Sequence, residues 1–474
     1  MPIKLGENAV VIGAGMSGLL SARVLAGCFE KVTVLDRDRL PEDPAPRKGV
    51  PQGRHLHSLA VRGSELLEDF FPGLDRELAD AGCPAVDQAR DTVTDVPSGR
   101  LPRFESGIVM RAVSRDLLEW RIRRRLSDNP RIRFVPNREA TGILYDKSSR
   151  RITGVSSRVR GGEGREDFAA DLVVDASGQG SRTPRWLAEL GLEAPRETVV
   201  DAGLGYATRW YRVPEEFEGD WKSLAVLPEW PEEPRGGSLR RVEGDRWTAV
   251  LIGIGKRDQP PTEPEAFLDF VRSLPSPIIA EAIENAEPIS PVYGYRRTAN
   301  RRRHYEKLAN MPENLLITGD AACVMNPSYG QGMTLAALCA KALEGSLRGG
   351  WRDLADLSKE FHRRQAKAVA PSWTTTAGSD AQWAAGSPEE LGPLRRFLHR
   401  ISEEVFRMAV REPEVARTLL EVKNLVKPPR ALLHPGILLP ALRRTLAGTR
   451  GLAGSKTSPH KTGGPKTSLP NGDR

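Results

Sequence analysis

The chain has 474 residues, a formal net charge of +8, and 39% hydrophobic and 28% charged residues, which is typical of a globular protein of two or three domains. No run of about 20 apolar residues is present and the first predicted strand begins early, so we expect neither a transmembrane helix nor a signal peptide. The four cysteines have neither metal-ligand nor disulfide spacing, so we expect a cytoplasmic protein without a metal site.

The first predicted elements form a strand–turn–helix–strand unit. A strand at residues 8–12 leads into the turn Gly13-Ala14-Gly15-Met16-Ser17-Gly18, and a second strand at residues 31–35 ends in Asp36. In this pattern the first glycine makes the turn, the second lets a pyrophosphate approach, and the third lets helix pack on strand. The acid about 20 residues further on accepts hydrogen bonds from ribose hydroxyls. The unit predicts a dinucleotide site, with a purely structural glycine turn as the alternative.

A long loop follows this unit, from residue 37 to about residue 57, before a helix is predicted to resume at Ser58. Loops of roughly 20 residues inside compact domains are usually functional. Further along, a strand is predicted at residues 108–110 and a helix at residues 114–126, with Ser114 as its N-cap. Short strands then continue to Val174.

The pattern changes at residues 197–298, where alternating strands are separated by Pro- and Gly-rich turns. Clear examples are the strands predicted at residues 204–213 and 247–254. Such alternation is typical of a sheet with one face packed on helices, and we expect the other face to meet a substrate.

A second glycine-rich corner follows a predicted buried strand at residues 314–318. It comprises Gly319-Asp320, Pro327 and Gly330-Gln331-Gly332-Met333, and it opens a helix that runs to about Leu347. A carboxylate here can accept hydrogen bonds from sugar-like hydroxyls, while the free N–H groups of the helix start favour negative charge. The corner therefore predicts a polyol- and anion-binding site.

The C-terminal part is predicted to be helical to about Leu446, with breaks near Pro371, Pro388 and Pro428. Residues 430–444 have an apolar body and basic ends, which permits peripheral contact with a membrane surface. Docking on the substrate-facing domain is the favoured alternative. Residues 448–474 hold five Lys or Arg in a Gly/Ser/Thr/Pro-rich segment, so we expect a disordered basic tail and no nucleic-acid partner.

Taken together, these segments resemble the glutathione-reductase-type FAD fold of flavoprotein monooxygenases, in which the first corner holds ADP and the second holds the ribityl chain and flavin ring. Residues 171–182 resemble the family's middle motif, and Arg115 resembles the arginine that opens its second flavin-contacting helix. The loop at residues 46–57 resembles that of actinobacterial flavin epoxidases of polyether-antibiotic pathways. Squalene epoxidases are more distant relatives.

The resemblance implies an α/β fold with a Rossmann-like FAD-binding domain (βαβ, central parallel sheet), an inserted mainly antiparallel substrate-domain sheet and a C-terminal helical region. We expect the FAD-binding domain to comprise residues 1–85, 108–195 and 300–347. The substrate domain is expected at residues 86–107 and 196–299. The helical region is expected at residues 348–446 and the disordered tail at residues 447–474.

The resemblance also implies roles for individual residues. The predicted cofactor-binding residues are Gly13, Gly15, Met16, Ser17, Gly18, Asp36, Arg37, Arg47, Lys48, Gly49, Arg115, Ser177, Gly178, Gly319, Asp320, Gly330, Gly332 and Met333. The residues predicted to shape the reaction site beside the flavin ring are Gly49, Val50, Pro51, Pro327, Gly330, Gln331 and Gly332. No metal ligands are predicted.

The implied activity is that of an FAD-dependent monooxygenase, in which a flavin C4a-hydroperoxide transfers one oxygen atom from O2 to a lipophilic natural product of secondary metabolism. Alkene epoxidation and hydroxylation are both open. Epoxidation is favoured because an alkene needs no general base and no catalytic triad or carboxylate pair is recognisable. An isoprenoid reductase or dehydrogenase, a flavin halogenase and a non-catalytic FAD-binding protein are the alternatives, although the Trp-x-Trp-x-Ile-Pro segment of halogenases is absent.

NADPH or NADH is the expected electron donor, acting directly or through a separate flavin reductase. The family's middle motif carries an Asp where this chain has Ser177, and that Asp-Gly pair is linked to both FAD and NAD(P)H contacts. In this chain the acid stands at Asp175 instead. The departure favours a partner reductase.

Overall fold

The computed structural model describes residues 4–162, 164–349 and 354–453. Its strands are β1 (Gly6–Ile12), β2 (Phe29–Leu35), β3 (Ala85–Asp87), β4 (Thr92–Val96), β5 (Gly99–Arg100), β6 (Val109–Arg111), β7 (Ile132–Val135), β8 (Arg138–Asp146), β9 (Arg151–Val159), β10 (Arg165–Ala169), β11 (Leu172–Asp175), β12 (Glu197–Val200), β13 (Gly205–Arg212), β14 (Ser223–Val226), β15 (Arg235–Val242), β16 (Arg246–Gly253), β17 (Tyr293–Tyr295), β18 (Asn300–Arg303), β19 (Leu315–Ile317) and β20 (Cys323–Val324). Its helices are α1 (Met16–Leu25), α2 (Val61–Phe70), α3 (Leu74–Asp80), α4 (Arg115–Ser127), α5 (Thr183–Glu189), α6 (Pro264–Arg272), α7 (Ile278–Ile283), α8 (Gly332–Leu347), α9 (Ala355–Ala385), α10 (Pro393–Arg411), α11 (Pro413–Lys423) and α12 (Pro435–Ala453).

The central sheet is parallel throughout, with the strand order β19-β11-β1-β2-β7. Its strands are nearly continuous apolar runs because both faces of the sheet are buried. Val11 and Val174 pack among residues of α1, α4 and α8, whereas Val10 and Val173 face the small sheet of β8, β9 and β10. The predicted α/β class with a central parallel sheet is confirmed.

A second sheet has seven strands in the order β17-β13-β16-β15-β14-β4-β5, antiparallel except for the β14–β4 pair. Leu239, Trp247 and Leu251 point to one face, where they form a core with α6 and α7. Alternate residues such as Ser238 and Val250 line a large cavity on the other face. The alternation expected at residues 197–298 thus produces a sheet with one face in the core and one face open to the cavity.

Two predicted element boundaries were wrong. Helix α2 begins at Val61 rather than Ser58, because Ser58 and Ala60 are held by tertiary hydrogen bonds: the Ser58 hydroxyl accepts one from Arg240, and the Ala60 N–H donates one to Thr334 Oγ1. Pro371 does not break the chain but lies inside α9. Proline has no N–H to donate to the preceding helical turn. Because Pro371 is exposed, this backbone hydrogen bond is missing on the side of the helix that faces solvent.

The last three helices form their own core around Met408, Ala409 and Ala441, and this core packs against Leu101 and Phe104 of the segment between β5 and β6. The C-terminal helices therefore dock on residues of the segment expected to belong to the substrate domain. No helix of the described residues is long and apolar enough to cross a membrane. Helix α12 continues to Ala453, past the predicted start of the tail at residue 447, and residues 454–474 lie outside the described part of the chain.

Phe267 tests the packing of α6 against the second sheet, because its side chain is fully buried there. We expect Phe267→Ala to lower the free energy of unfolding by about 3–5 kcal/mol through lost burial and the cavity left behind. Asp269→Ala changes an exposed residue of the same helix and should stay within about 0.5 kcal/mol of the wild type. Urea denaturation of the three proteins measures the difference, and equal stability of both variants would contradict this packing.

Candidate functional site

The first glycine corner is built by close backbone approaches at the carboxyl edge of the parallel sheet. Gly13 has φ +103°, and a Cβ there would lie 2.5 Å from the carbonyl oxygen of Ala176. A Cβ on Gly18 would overlap the carbonyl oxygen of Gly13, so α1 can pack this closely only with glycine at that position. Both glycines are therefore required for the close packing of backbone segments within the corner.

Gly15 differs from these two glycines because it faces open space. The nearest atom to a Cβ at Gly15 is Arg115 Nη2, at 3.8 Å, and the residue lines the cavity. Gly15 is also the N-cap of α1, so the unpaired N–H groups of the first helical turn lie beside it. This arrangement leaves room for an anionic group at the positive end of the helix.

The second corner lies directly against the first. Gly319 has φ +60°, and a Cβ there would overlap the Ser17 side chain at the start of α1. Asp320 follows, and its carboxylate accepts no hydrogen bond from the described residues although it lines the cavity. Burial raises the pKa of Asp320, while the positive charge of Arg115 opposes that shift. Hydroxyl groups of a ligand are the partners that this carboxylate lacks.

The segment between Asp320 and α8 is held by a buried carboxylate on α9. Asp380 accepts hydrogen bonds from Asn300 Nδ2 at 2.6 Å, from Asn326 Nδ2 at 2.8 Å and from the Tyr329 hydroxyl at 2.7 Å. These bonds fix the turn that contains Pro327 and ends at the start of α8. The turn is thereby positioned from outside the two glycine corners.

The N-terminus of α8 faces the cavity with unused polar groups. Gln331 is its N-cap but makes no side-chain capping bond, and its Oε1 is buried without a partner in the described residues. A Cβ on Gly332 would meet no protein atom within 4 Å. The first turn of α8 contains no acidic residue, so its positive end is open to a ligand.

One cavity of about 1580 Å³ joins these features to the second sheet. Its volume exceeds the roughly 300–1,000 Å³ of a pocket for a single small ligand, so it has room for a large cofactor and a second molecule. The predicted site residues that line it are Gly13, Gly15, Met16, Ser17, Asp36, Arg37, Arg47, Gly49, Val50, Pro51, Arg115, Ser177, Gly178, Asp320, Pro327, Gly330, Gln331, Gly332 and Met333. Gly18 and Gly319 lie behind the lining, where they allow the close packing described above.

The loop after β2 is fixed by a buried ion network around Arg47. Its guanidinium contacts Glu119, lies 3.2 Å from Asp36 Oδ2 and donates to the Ala14 carbonyl oxygen at 3.2 Å. Burial opposes the charge of Arg47, but the neighbouring carboxylates, led by Glu119, raise its pKa overall. The guanidinium of Arg47 thus bonds to groups of the protein itself, and it holds Asp36 in position.

Lys48 is the one predicted cofactor-binding residue of this loop that the structure places away from the cavity, and its role stays a prediction. Its side chain is exposed and lies outside the cavity lining, because the loop turns the adjacent Arg47 inward instead. Gly49 returns to the cavity, and its N–H donates to Asp38 Oδ2 at 2.6 Å.

The carboxylate of Asp36 also uses part of its hydrogen-bonding capacity within the protein. It accepts hydrogen bonds from the backbone N–H groups of Ala14, at 2.7 Å, and Asp38, at 2.8 Å. A carboxylate has about four acceptor positions, so capacity for a ribose hydroxyl remains beside its ion pair with Arg47.

The middle turn at Ser177 and Gly178 depends on Asp175, which is completely buried. Its carboxylate accepts hydrogen bonds from the Ser177 N–H at 2.9 Å and from the hydroxyls of Ser181 and Thr183 at 2.5 Å each. Asp175 therefore holds the turn from behind, while Ser177 and Gly178 line the cavity.

Two histidines of the long loop have different surroundings. His55 packs at the second sheet, with Nδ1 2.8 Å from Thr208 Oγ1, and burial lowers its pKa to about 4. His57 lines the cavity with Nδ1 2.9 Å from the His55 carbonyl oxygen. Burial, followed by the charge of Arg115, lowers the pKa of His57 to about 3, so both imidazoles are neutral at physiological pH.

The unpaired groups at the two corners fit FAD. Open space at Gly15 beside a helix N-terminus suits the pyrophosphate, the unbonded carboxylate of Asp320 suits ribityl hydroxyls, and the free start of α8 at Gly332 suits the flavin ring. Arg115, at the start of α4 behind the Ser114 N-cap, adds a buried Nε with no partner among the described residues.

Comparison with known proteins agrees with this fit. A family profile described as FAD binding domain matches residues 7–348. The chain belongs to this family of flavin-dependent monooxygenases. It is 33% identical over 433 residues to Protein Rv3254 of Mycobacterium tuberculosis, which covers 89% of this chain and 90% of that protein.

Two more distant similarities extend the comparison. The chain is 25% identical over 346 residues to kynurenine 3-monooxygenase of Salinispora tropica, which covers 70% of each protein. Its fold is similar to that of p-nitrophenol 4-monooxygenase PnpA from Pseudomonas putida DLL-E4, with a TM-score of 0.62, 17% identity, and coverage of 90% of this chain and 100% of that one. This flavoprotein is thus an oxidoreductase by family.

Some cavity residues were not found by sequence reasoning. Arg240 on β15 and Lys423 at the end of α11 both line the cavity of this flavoprotein. The alternation of Leu239 and Arg240 along β15 contained a usable signal, since it places Arg240 on the face opposite the core. Lys423 carried no such signal because its position depends on how α11 docks.

Gly15→Val tests the phosphate-binding role of the first corner. The protein itself leaves space for the larger side chain, so the variant should fold, but the valine would fill the space beside the helix start and FAD retention should be lost. Gly142→Val in β8 is the matched control, because that glycine also faces open space but lies outside the cavity. The ratio of flavin to protein after gel filtration gives the result, and normal FAD content in Gly15→Val would refute the role.

Asp320→Ala tests the second corner. Removing an ionised hydrogen-bond acceptor should weaken FAD binding roughly 10- to 100-fold, corresponding to about 1.5–3 kcal/mol. Asp201→Ala is the control, since Asp201 is an exposed acid that lines another part of the same cavity. Quenching of FAD fluorescence during titration into apoprotein measures both affinities. An unchanged affinity in Asp320→Ala would exclude the ribityl contact.

Proposed function

We propose that this protein uses FAD and O2 to transfer one oxygen atom to a small organic substrate, with alkene epoxidation as the favoured reaction. The observation that carries the proposal is the single cavity shared by the cofactor corners and the open face of the second sheet. A molecule on that sheet would lie in the same enclosed space as the start of α8. Such enclosure excludes water and orients the reactants.

When bound, FAD would supply two-electron chemistry and the activation of O2. The residues of the chain have separate tasks around it. Asp320 binds the ribityl hydroxyls, Gly15 admits the pyrophosphate, and the N–H groups at the start of α8 stabilise negative charge on the ring. Val50 and Pro51 line the cavity on the long loop and help to shape the ring's surroundings.

Epoxidation is favoured over phenol hydroxylation because the histidine and the two tyrosines of the cavity are poor general bases. The pKa of His57 is lowered to about 3, which makes its neutral imidazole a weak base. Burial raises the pKa of the Tyr206 and Tyr295 hydroxyls, which also line the cavity, so both stay protonated. An alkene attacks an electrophilic oxygen without losing a proton, and this environment suits such a substrate. The likeness of the long loop to polyether-pathway epoxidases supports the same choice.

We further propose that electrons reach the flavin through a separate flavin reductase that oxidises NADPH or NADH. Ser177 cannot provide the carboxylate that the family's Asp-Gly pair contributes. Asp175 does not replace it, because this residue is completely buried behind the turn and does not line the cavity. The cavity thus lacks an acid at this turn.

Oxygen uptake by the FAD-loaded protein tests the function. NADPH should be supplied with and without an added flavin reductase, together with a panel of polyenes and phenols under ¹⁸O2. We expect substrate-dependent O2 consumption only with the reductase, and one ¹⁸O atom per epoxide formed. Gly15→Val is the control for reactions caused by free reduced flavin.

Other outcomes distinguish the alternatives. A phenolic product with one ¹⁸O would identify a hydroxylase instead of an epoxidase. A reduced or dehydrogenated product without ¹⁸O would identify a reductase or dehydrogenase, and a product that requires added bromide or chloride would identify a halogenase. Reducible bound FAD without turnover of any substrate would support a non-catalytic role.

A further inference from the structure

One end of the cavity is marked by a row of polar residues across the second sheet. The strand registers pair Thr92 with Ser223, Ser223 with Arg240, and Arg240 with Thr248. Paired residues on neighbouring strands lie about 5 Å apart on the same face of a sheet. The row therefore forms a continuous polar strip, and Thr92, Ser223 and Arg240 line the cavity.

Arg240 forms no ion pair with any of the described residues. Its Nη1 donates to the Ser58 hydroxyl at 2.8 Å, but its Nε is buried without a partner in the part of the chain that the structure describes. Burial lowers the pKa of Arg240 to about 10, and no carboxylate counteracts that effect. A buried guanidinium without a counterion is costly and normally has a carboxylate or phosphate beside it.

Lys423 brings a second cation to the same region from a different element. It is the last residue of α11, it lines the cavity, and its side chain is exposed. Desolvation by the surrounding protein, and then the charge of Arg240, lower the pKa of its ammonium group. Two like charges are thus held near each other although they repel, while the negative end of α11 favours keeping Lys423 charged.

The acids of the cavity do not neutralise this pair. The cavity-lining carboxylates are those of Asp36, Asp38, Glu139, Asp201 and Asp320, and within the described ranges none forms an ion pair with Arg240 or Lys423. Two further polar atoms here, Gln88 Nε2 and Thr92 Oγ1, are buried and have no described partner. Among the described residues, Arg240, Lys423, Gln88 and Thr92 thus line the cavity with hydrogen-bond donors that are not fully used.

The rest of the sheet face is mainly apolar. Val250 and Ile252 on β16 and the stacked rings of Tyr206 and Tyr295, 5.2 Å apart, line the cavity beyond the polar strip. Ser58, which holds Arg240, also lies against Gly330, where a Cβ would be 2.9 Å from Ser58 Cβ. The cationic end is thus close to the turn that precedes α8.

We propose that the substrate is an amphipathic acid whose carboxylate binds between Arg240 and Lys423 while its apolar body lies on β16 and the two tyrosines. The inference rests on the proposed function, because it assigns the second sheet to the substrate. It also narrows the expected lipophilic substrate to one with a defined acidic end. Gln88 and Thr92 complete the set of donors around the carboxylate.

Binding of matched probes to the FAD-loaded protein tests this inference without turnover. The probes are 2-naphthoate, 2-naphthalenemethanol and 2-naphthyl phosphate, measured by isothermal titration calorimetry and by perturbation of the flavin absorbance. We expect 2-naphthoate to bind at least tenfold more tightly than the alcohol. If 2-naphthyl phosphate binds more tightly than 2-naphthoate, the acidic group of the substrate is a phosphate ester and the inference of a carboxylate is wrong.

Substitutions of the two cations test whether they cause the preference for the acid. Arg240→Met and Lys423→Met should each abolish the preference for 2-naphthoate while leaving binding of the alcohol within about twofold, and Arg240→Lys should restore part of it. Lys427→Met is the matched control, since Lys427 lies in the same segment and is paired with Glu421. FAD content is measured in every variant.

The results separate this inference from the proposed function. Equal affinity for acid and alcohol, no saturable binding of any anionic probe to the FAD-loaded protein, or a preference that persists in both Arg240→Met and Lys423→Met would overturn the inference alone. Failure of ¹⁸O transfer with intact probe preference would overturn the oxygenase proposal alone. If Arg240→Met does not fold, Lys423→Met and Arg240→Lys decide.

Discussion

The site depends on close contacts among three loops at the carboxyl edge of the parallel sheet. Gly18 packs on Gly13, Gly13 packs on Ala176, and Gly319 packs on Ser17, each so closely that a side chain would collide. These contacts bring together segments far apart in the chain, and the strands β1, β11 and β19 hold them in parallel register. These glycines are therefore needed for contact between the loops themselves.

The C-terminal helices complete a site that the sheet alone leaves open. Asp380 on α9 fixes the turn before α8 through three hydrogen bonds, and α11 supplies Lys423 to the cavity. A change in the docking of these helices would alter both the turn before α8 and the cationic end of the cavity. The helical region thus helps to form the cavity, which its composition does not reveal.

The fold and the cofactor corners could be predicted from the sequence because local patterns specify them. Strand–glycine–helix units with an acid at a fixed spacing occur within short segments, so they can be recognised without knowledge of the tertiary structure. Arg240 was not predicted, although the period-two alternation along β15 contained the signal for its position opposite the core. The sequence could not predict which charged side chains form ion pairs within the protein. Arg47 and Lys48, for example, are adjacent basic residues of one loop. Only the structure shows that Arg47 turns towards Glu119 while Lys48 remains exposed. The continuation of α9 through Pro371 likewise depends on which side of the helix faces solvent.

Buried charges in this protein fall into two groups with different meanings. Arg47 and Asp175 are satisfied by several partners within the chain, so their charges maintain the loops that carry them. Asp320 and Arg240 face the cavity with much of their hydrogen-bonding capacity unused, and burial penalises the charge of each. An uncompensated buried charge is energetically costly, so we expect a bound ligand to supply the missing hydrogen bonds or counter-charge. The two groups also differ in sign: the carboxylate of Asp320 suits hydroxyl groups, whereas the cationic end at Arg240 suits an acid. The proposed cofactor and substrate sites therefore have different electrostatic preferences within one cavity.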